Sequence, residues 1–408
     1  MGIVLTRLRI SLKSLKPCDG TMMKRFVLTP VSLFVDDELL QAQAVVICAG
    51  HIERICPQHD IAQEIAAGLT VVDGNGLLLA AGFIDTQVNG GGGVMLNDQP
   101  TLDGIDAIRH AHWSGGTTAM LPTLITDCHD VMLQAVHAVS QALGTLPGIL
   151  GIHLEGPHLS VSRKGVHSAQ QIRPFDAQTQ ALLDVLPADK YLLTVAPETL
   201  ASGVIRRLSG DGIRVSAGHT AATYAQIQQA LKEGLSGFTH LYNAMTPMSS
   251  REPGVVGAAL EDPDSYCGII VDGYHLHWAT AKLAITTKPR GKMMLVTDAM
   301  ATVGSSQDSF ELYGERIYVD NGRCATEAGT LAGSALDMVT AVRNCVQKLG
   351  ISLPEALRMA SLYPAQFMGV ADQYGRISAG FRADLVLLDD DLQLRQTWVQ
   401  GELCFAAV

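Results

Sequence analysis

The sequence contains few charged residues and no closely spaced cysteine pair, and both shortages narrow the kinds of protein that it can encode. Charged residues make up 17% of the 408 residues, whereas hydrophobic residues make up 47%. This balance suits a parallel sheet that is buried on both faces. The eight cysteines include no Cys-x-x-Cys pair. We therefore interpret them as reduced thiols of a cytoplasmic protein rather than as a disulfide framework.

Positive net charge and long apolar runs are also missing. The formal net charge of -11 argues against nucleic acid and anionic membranes as partners, although a local basic cluster can still hold an anionic small molecule. No apolar run approaches the roughly 20 residues that a membrane helix requires. Residues 1–22 are basic and lack the continuous apolar core of a signal peptide. We expect them to be a leader outside the folded domains, with Met22 and Met23 as alternative translation starts.

Short strand patterns occur at both ends of the chain and predict one discontinuous β domain. We assign residues 23–80 and 370–408 to this small β-sandwich domain. Between them, in residues 81–369, strands alternate with helical stretches, which predicts parallel β-α units. The predicted fold is therefore α/β: a (β/α)₈ TIM-like barrel with a β-sandwich formed by the N- and C-terminal segments.

In residues 213–245, a short predicted strand is followed by a histidine twice. A short β-branched run precedes His219, a helix that we expect Thr220 to cap follows, and a second short strand precedes His240. Both histidines thus come at the carboxyl ends of consecutive strands, where α/β folds collect catalytic groups.

A third ligand of the same kind follows another apolar run. Glu155 ends the run from 148 to 154 and precedes a glycine and a proline. Two imidazoles and one carboxylate leave a coordination position open for water, as in catalytic zinc sites. The alternative is that His219 and His240 only cap strands while Glu155 pairs with a nearby base.

By contrast, His110 and His112 lie two residues apart on a predicted helix and point to different sides. We interpret them as a surface pair that binds no metal.

Acid-base and anion-binding candidates accompany the proposed metal ligands. Asp298 directly follows the strand that ends at Thr297 and can carry a proton to or from water; capping of the next helix is the alternative. Arg251, with Asn243 and the amide of Ala244, suits a phosphate, because arginine offers paired donors. Arg251 can equally pair with its neighbour Glu252. Two further donors are His167, for a sugar hydroxyl, and His275, for the phosphate or the scissile carbonyl.

These residues stand in motifs that occur together in one enzyme family. The motifs are Gly82-Phe83-Ile84-Asp85, His153-Leu154-Glu155-Gly156-Pro157, Ser216-Ala217-Gly218-His219, Thr239-His240-Leu241-Tyr242-Asn243-Ala244-Met245, Arg251-Glu252-Pro253-Gly254 and Val296-Thr297-Asp298-Ala299. From about Phe26 onward the chain resembles the N-acetylglucosamine-6-phosphate deacetylase family of the amidohydrolase superfamily, with the motifs in the family order.

The resemblance implies specific roles. It places the metal ligands on Glu155, His219 and His240 and the catalytic aspartate on Asp298. We expect His275 to help the metal stabilise the oxyanion. It implies a small-molecule amino sugar phosphate as substrate and a homodimer in which Arg251 reaches the neighbouring subunit's site. Val166 and Ala332 replace hydroxyl residues that relatives often carry, so the sugar preference stays open. The implied substrate contacts are His167, Val166, Asn243, Ala244, Arg251, His275, Leu331, Ala332 and Gly333.

The metal count follows from Gln87 and Asn89. Many amidohydrolases carry His-x-His where this chain has Gln87-Val88-Asn89, and carboxamides are weaker zinc ligands than imidazoles. We therefore expect one divalent ion per chain, zinc, with Gln87 near it. The expected reaction is removal of acetate from N-acetylglucosamine 6-phosphate. The alternatives are deacetylation of the galactosamine epimer and a catalytically silent barrel that serves as a binding subunit.

Overall fold

The structure is a computed structural model that describes residues 25–407, and the expected leader at residues 1–22 lies outside them. Strands from both ends of the described chain form one small β domain, as expected. Its elements are β1 (Arg25–Val35), β2 (Glu38–Cys48), β3 (His51–Pro57), α1 (Ala62–Ala66), β4 (Thr70–Val72), β5 (Leu78–Ala81) and, at the C-terminal end, β20 (Leu385–Leu388), β21 (Leu394–Val399) and β22 (Glu402–Ala406).

The strands of the β domain pair in the order β22-β21-β20-β5-β1-β2-β3, with β4 also beside β1. The two halves of β1 have different neighbours, because Phe26 pairs with Thr70 of β4 whereas Leu33 pairs with Leu79 of β5. Strands β5 and β20 pair antiparallel and join the two ends of the chain. Phe26 stacks on Trp398 at a centroid distance of 5.1 Å, so the core of this domain also contains residues from both ends.

The central part of the chain alternates strands with helices. Three helices at its end lead back to the β domain. The elements are β6 (Phe83–Val88), β7 (Gly90–Gly91), β8 (Val94–Met95), α2 (Leu102–Trp113), β9 (Thr117–Ile125), α3 (His129–Ala142), β10 (Ile152–Glu155), α4 (Ala177–Leu183), β11 (Tyr191–Val195), α5 (Val204–Gly210), β12 (Arg214–Ala217), α6 (Tyr224–Lys232), β13 (Gly237–Phe238), α7 (Gly254–Glu261), β14 (Tyr266–Ile269), α8 (Trp278–Thr287), β15 (Met293–Leu295), α9 (Met338–Gln347), α10 (Leu353–Ala360) and α11 (Leu362–Phe367).

Eight parallel strands of this described part form a barrel. They pair in the order β15-β14-β13-β12-β11-β10-β9-β6, and every residue of β6 and β9 is buried. A bridge between Val88 and Ala299 brings the last strand back to the first, and the amide of Asp298 donates to the carbonyl of Gln87 at 3.0 Å. The predicted (β/α)₈ barrel with a separate β domain is therefore confirmed. The domain boundaries at residues 80 and 369 stay a prediction.

An antiparallel sheet follows the barrel and was not predicted. Its strands are β16 (Ser309–Leu312), β17 (Glu315–Asp320), β18 (Arg323–Thr326) and β19 (Leu331–Ser334). A bridge between Ala299 and Ser334 attaches β19 to the segment that closes the barrel. This attachment brings residues 330–333 to the rim at which the barrel strands end.

Two local predictions were wrong. Thr223, not Thr220, caps α6, and it forms a capping box with Gln226; the hydroxyl of Thr220 donates to Glu198 instead. His112 is buried rather than on the surface, and its Nε2 lies 2.9 Å from the carbonyl oxygen of Gly90. Among residues 25–407, no helix has both the length and the apolar character needed to cross a membrane.

Candidate metal and catalytic site

The three predicted metal ligands lie together at one rim of the barrel. Glu155 is the last residue of β10, and His219 and His240 closely follow β12 and β13. Because the carboxyl ends of parallel barrel strands open on the same rim, these residues meet although they are distant in sequence. His219, His240 and Asp298 have positive φ angles of 47°, 34° and 54°. Such backbone conformations are uncommon outside glycine and recur at functional sites.

The donor atoms of these three side chains converge on one point. Glu155 Oε1 lies 3.1 Å from His219 Nε2 and 2.8 Å from His240 Nε2, and the two nitrogens are 3.1 Å apart. All three residues are buried. Burial alone would raise the pKa of Glu155, but the adjacent imidazoles of His219 and His240 hold that pKa well below its usual range. One carboxylate oxygen and two imidazole nitrogens form a ligand set that zinc binds.

The surroundings of His219 fit this role. The backbone carbonyl of Arg163 lies 2.9 Å from His219 Nδ1 and can only accept a hydrogen bond. Nδ1 therefore carries a hydrogen, and the neutral tautomer that this contact selects has the lone pair of Nε2 facing Glu155 and His240. A hydrogen bond of this kind on the outer nitrogen is typical of metal-binding histidines.

Asp298 is connected to the ligand cluster by two carboxamides. Gln87 Nε2 donates to Glu155 Oε2 at 3.2 Å and to Asp298 Oδ1 at 3.1 Å, and Asn89 Nδ2 donates to the same Asp298 oxygen at 2.6 Å. Burial, together with the charge of Glu155, raises the pKa of Asp298 to about 6. A carboxyl group with a pKa near neutrality can both accept and donate protons. Gln87 thus lies beside the cluster, and Asn89 is a donor to Asp298 that sequence reasoning had not assigned.

His167 lies against the cluster and is held by Thr126. Its ring meets that of His219 edge-on, with centroids 4.3 Å apart. His167 Nδ1 lies 2.9 Å from the hydroxyl oxygen of Thr126 and 3.4 Å from its backbone nitrogen. Burial, with a further contribution from His219, lowers the pKa of His167 well below its usual range. His167 is therefore neutral. Thr126 was missed, because a threonine at the end of a strand carries no distinctive signal.

His275 lies in the loop after β14 with an acidic partner. Its Nδ1 is 2.6 Å from Oδ2 of Asp272, and both side chains are buried. Burial would raise the pKa of Asp272, but the hydrogen bond with His275 lowers it. Sequence reasoning placed His275 at the site but did not identify Asp272 as its partner, although the two residues are only three positions apart in sequence.

One cavity of about 390 Å³ is lined by Asn89, Glu155, His167, His219, His240, His275 and Asp298. Ala332 has no exposed surface and packs beside Met300 in a small core next to the cavity. Arg251 is exposed on the loop before α7 and does not line the cavity of this chain. Gly333 has a φ of 58°, and a Cβ there would lie 2.8 Å from the carbonyl oxygen of Asp298. The other predicted substrate contacts that line the cavity are Val166, His167, Asn243, Ala244, His275, Leu331 and Gly333.

Known proteins are similar to this chain in both sequence and fold. A model of the amidohydrolase family matches residues 78–404. An N-acetylgalactosamine-6-phosphate deacetylase of Shewanella sp. (strain ANA-3) is 44% identical over 81% of this chain and 84% of its own length. An N-acetylglucosamine-6-phosphate deacetylase of Haemophilus influenzae is 36% identical over 93% of this chain and 99% of its own length.

A solved structure agrees with these sequence matches. The crystal structure of N-acetylglucosamine-6-phosphate deacetylase from Pasteurella multocida is similar to this chain with a TM-score of 0.89. The two sequences are 38% identical, and the match covers 94% of this chain and 100% of that chain. The similarity therefore includes both the barrel and the β domain.

Proposed function

Because the chain belongs to the amidohydrolase family, we propose that it removes the acetyl group from N-acetylglucosamine 6-phosphate. Water adds to the acetyl carbon, the amide C–N bond breaks, and glucosamine 6-phosphate and acetate leave. The observation that carries this proposal is the convergence of Glu155, His219 and His240 beside Asp298 in one cavity. The choice of substrate rests on the relatives that are named N-acetylglucosamine-6-phosphate deacetylase.

The amidohydrolase family is metal-dependent, and in this chain Glu155, His219 and His240 are suited to hold the ion. The mixed nitrogen and oxygen ligand set and the orientation of His219 by the Arg163 carbonyl favour zinc. When bound, such an ion supplies a Lewis acid that lowers the pKa of water and polarises a carbonyl group. One ion per chain is the proposed stoichiometry, because Gln87 and Asn89 direct their amide nitrogens at Asp298.

Asp298 is the proposed proton carrier. It accepts the proton of the attacking water and then delivers it to the nitrogen of the departing amine. A raised pKa suits both halves of this cycle, because the group has to be ionised first and protonated afterwards. Hydrogen bonds from Gln87 and Asn89 hold its carboxylate toward the cavity throughout.

The remaining cavity residues are proposed to bind the sugar phosphate. The neutral imidazole of His167 donates to a sugar hydroxyl, and His275 donates to the acetyl carbonyl oxygen or to the phosphate. Asn243 and the amide of Ala244 supply neutral donors for the phosphate, and Leu331, Ala332 and Gly333 bound the sugar. Val166 adds an apolar wall at the same cavity.

Arg251 is proposed to act on the phosphate from a neighbouring subunit. It is exposed and does not line the cavity of its own chain, which supports a homodimer in which each Arg251 completes the other subunit's site.

The proposed location is the cytoplasm. A phosphorylated sugar is an intracellular metabolite, and the free cysteines of the described chain suit that compartment.

The galactosamine epimer is a second candidate substrate. The Shewanella relative named for that substrate is 44% identical to this chain, whereas the Haemophilus relative named for the glucosamine substrate is 36% identical. The two sugars differ only at one hydroxyl, so a few contacts at the cavity decide the preference.

A coupled assay of acetate release with both sugar phosphates tests the function. We expect hydrolysis of N-acetylglucosamine 6-phosphate with the higher kcat/KM. A higher value for the galactosamine epimer would assign the second substrate. Absence of acetate release from either sugar by metal-loaded protein would contradict the enzyme and favour the silent binding subunit.

A further inference from the structure

Two buried apolar side chains line the cavity and have no role in the reaction outlined above. They are Ile125, the last residue of β9, and Met300, which follows Asp298 by two positions. Their exposed fractions are only 3% and 2%. Val166 and Leu331 also line the cavity, but these two side chains are half-buried and lie nearer to solvent. Ile125 and Met300 therefore form the deep wall of the cavity.

The deep wall flanks the groups that are proposed to perform the reaction. Ile125 pairs with Glu155 across two parallel strands, so the apolar side chain lies next to the carboxylate of the ligand cluster. Met300 belongs to the same short segment as Asp298. One residue of β19 holds this segment, because the amide of Met300 donates to the carbonyl of Ser334 at 3.0 Å and the amide of Ser334 donates to the carbonyl of Asp298 at 2.9 Å.

The deep wall is packed from behind. A Cβ on Gly333 would lie 2.6 Å from Cγ and 2.7 Å from Cε of Met300, so the methionine side chain fills the space beside this glycine. Ile125 and Met300 also share one buried apolar cluster with Phe310 and Leu312 of β16. Methionine is a flexible side chain, but close packing on its far side limits its movement away from the cavity.

The acetyl group of the proposed substrate has one apolar part, its methyl group. The carbonyl carbon has to lie beside the ligand cluster and Asp298 for water to add to it, and the methyl group is bonded directly to that carbon. The methyl group is therefore confined to the surroundings of the reacting atom, whereas the sugar and its phosphate extend away through the amide nitrogen. Burial of a methyl group is favourable against apolar atoms, and the deep wall supplies such atoms next to the reacting groups.

We propose that Ile125 and Met300 form an acyl pocket that accepts the acetyl methyl group and excludes longer acyl chains. The inference rests on the proposed deacetylation and deepens it, because it names the residues that select the acyl group. One extra methylene in a hydrophobic pocket typically changes a specificity ratio by about 10- to 200-fold. The N-propionyl and N-butyryl derivatives of glucosamine 6-phosphate are therefore expected to be much poorer substrates than the N-acetyl sugar.

The test compares kcat/KM for the N-acetyl, N-propionyl and N-butyryl sugars with metal-loaded wild type and Met300→Ala. Formation of glucosamine 6-phosphate is the readout, because every acyl chain leaves the same amine product. We expect the wild type to prefer the acetyl over the propionyl sugar by about 10-fold or more. Met300→Ala should reduce this preference by about 10-fold and should hydrolyse the propionyl sugar with a higher kcat/KM than the wild type does.

A second variant covers the case in which Met300→Ala does not fold. Ile125→Val removes a single methylene group from the deep wall, and such a change is usually tolerated in a core. It should reduce the acetyl preference in the same direction by a smaller factor. Leu312→Ala is the matched control, because Leu312 belongs to the same apolar cluster and does not line the cavity. Its acyl preference should equal that of the wild type.

The possible outcomes separate the acyl pocket from other roles of these residues. Equal hydrolysis of the acetyl and propionyl sugars by the wild type overturns the inference. An equal change for all acyl chains in both wall variants also overturns it, because the two residues would then contact the sugar rather than the acyl group. A loss of preference in Leu312→Ala as large as in Met300→Ala overturns it as well, since loosening of the cluster would explain both. Absence of product from every sugar with the wild type would overturn the proposed function, and the acyl pocket with it.

Discussion

His219 Nε2 lies 3.1 Å from His240 Nε2. The carbonyl of Arg163 requires the hydrogen of a neutral His219 to be on Nδ1, so a lone pair of this ring points at the second imidazole. Glu155 adds a carboxylate oxygen within 3.1 Å of both nitrogens. Three electron-pair donors held this close in a buried site attract a cation, and the first prediction follows from that arrangement.

We predict one tightly bound zinc ion per chain. Gln87 and Asn89 donate hydrogen bonds to Asp298 and are poor ligands for a second ion. Metal analysis of purified protein, with activity titrated after chelation, should give one equivalent. His219→Asn should lose the ion, whereas His110→Asn, at an exposed histidine of α2, should keep it. A reproducible need for two equivalents would contradict the one-metal site.

Asp298→Asn should lower kcat by about 10²-fold or more, because it removes the proton carrier and keeps the shape of the side chain. The metal content should change little, since Asp298 contacts Gln87 and Asn89 rather than the histidines. Steady-state kinetics check the loss in kcat, and metal analysis of the same preparation checks the metal content. Near-normal turnover would remove Asp298 from the proton transfer.

Arg251→Ala should mainly raise KM for the phosphorylated sugar. A hydrogen bond to a charged group contributes about 1.5 to 3 kcal/mol, and unphosphorylated N-acetylglucosamine should be affected little. Arg206→Ala removes another exposed arginine, 71% exposed in its side chain, and serves as the control. An equal loss with both substrates would show that Arg251 supports the structure or the chemical step instead.

Asp85→Asn should change the pH dependence of stability. Burial raises the pKa of Asp85 to about 7, so the folded protein holds this proton more tightly than the unfolded chain does. Its contribution to the free energy of unfolding is full below about pH 4 and is lost as the pH rises through 7, with a slope of up to about 1.4 kcal/mol per pH unit. The stability of the variant relative to wild type should therefore rise between pH 5 and 8. Denaturant midpoints of the variant and the wild type, measured across that pH range, check this prediction. A stability difference that stays constant with pH would contradict it.

The strand-end residues were predictable because each comes at or just after the end of a short strand pattern. These residues are Glu155, His219, His240 and Asp298, and parallel strands bring their carboxyl ends to one rim. The barrel follows from the same alternation of apolar strands and helices. The order of the strands was therefore enough to predict that these four residues lie close together.

The supporting residues were harder to predict because their partners lie on other elements. Thr126 reaches His167 across the rim, and nothing near either residue in sequence indicates that contact. The sheet from β16 to β19 alternates buried and exposed residues only weakly, and its attachment depends on the distant pair Ala299 and Ser334. His112 was misassigned for a similar reason, because its burial depends on the glycine backbone at Gly90.

The pairing of β5 with β20 has a consequence for synthesis. Leu79 pairs with Leu387, so a ribosome must translate the whole barrel between the two halves of this sheet. Chains fold from the N-terminal side as they emerge, which leaves β5 without its neighbour β20 until translation is almost complete. During that interval one edge of β5 is unpaired, and an unpaired strand edge is prone to pair with another chain.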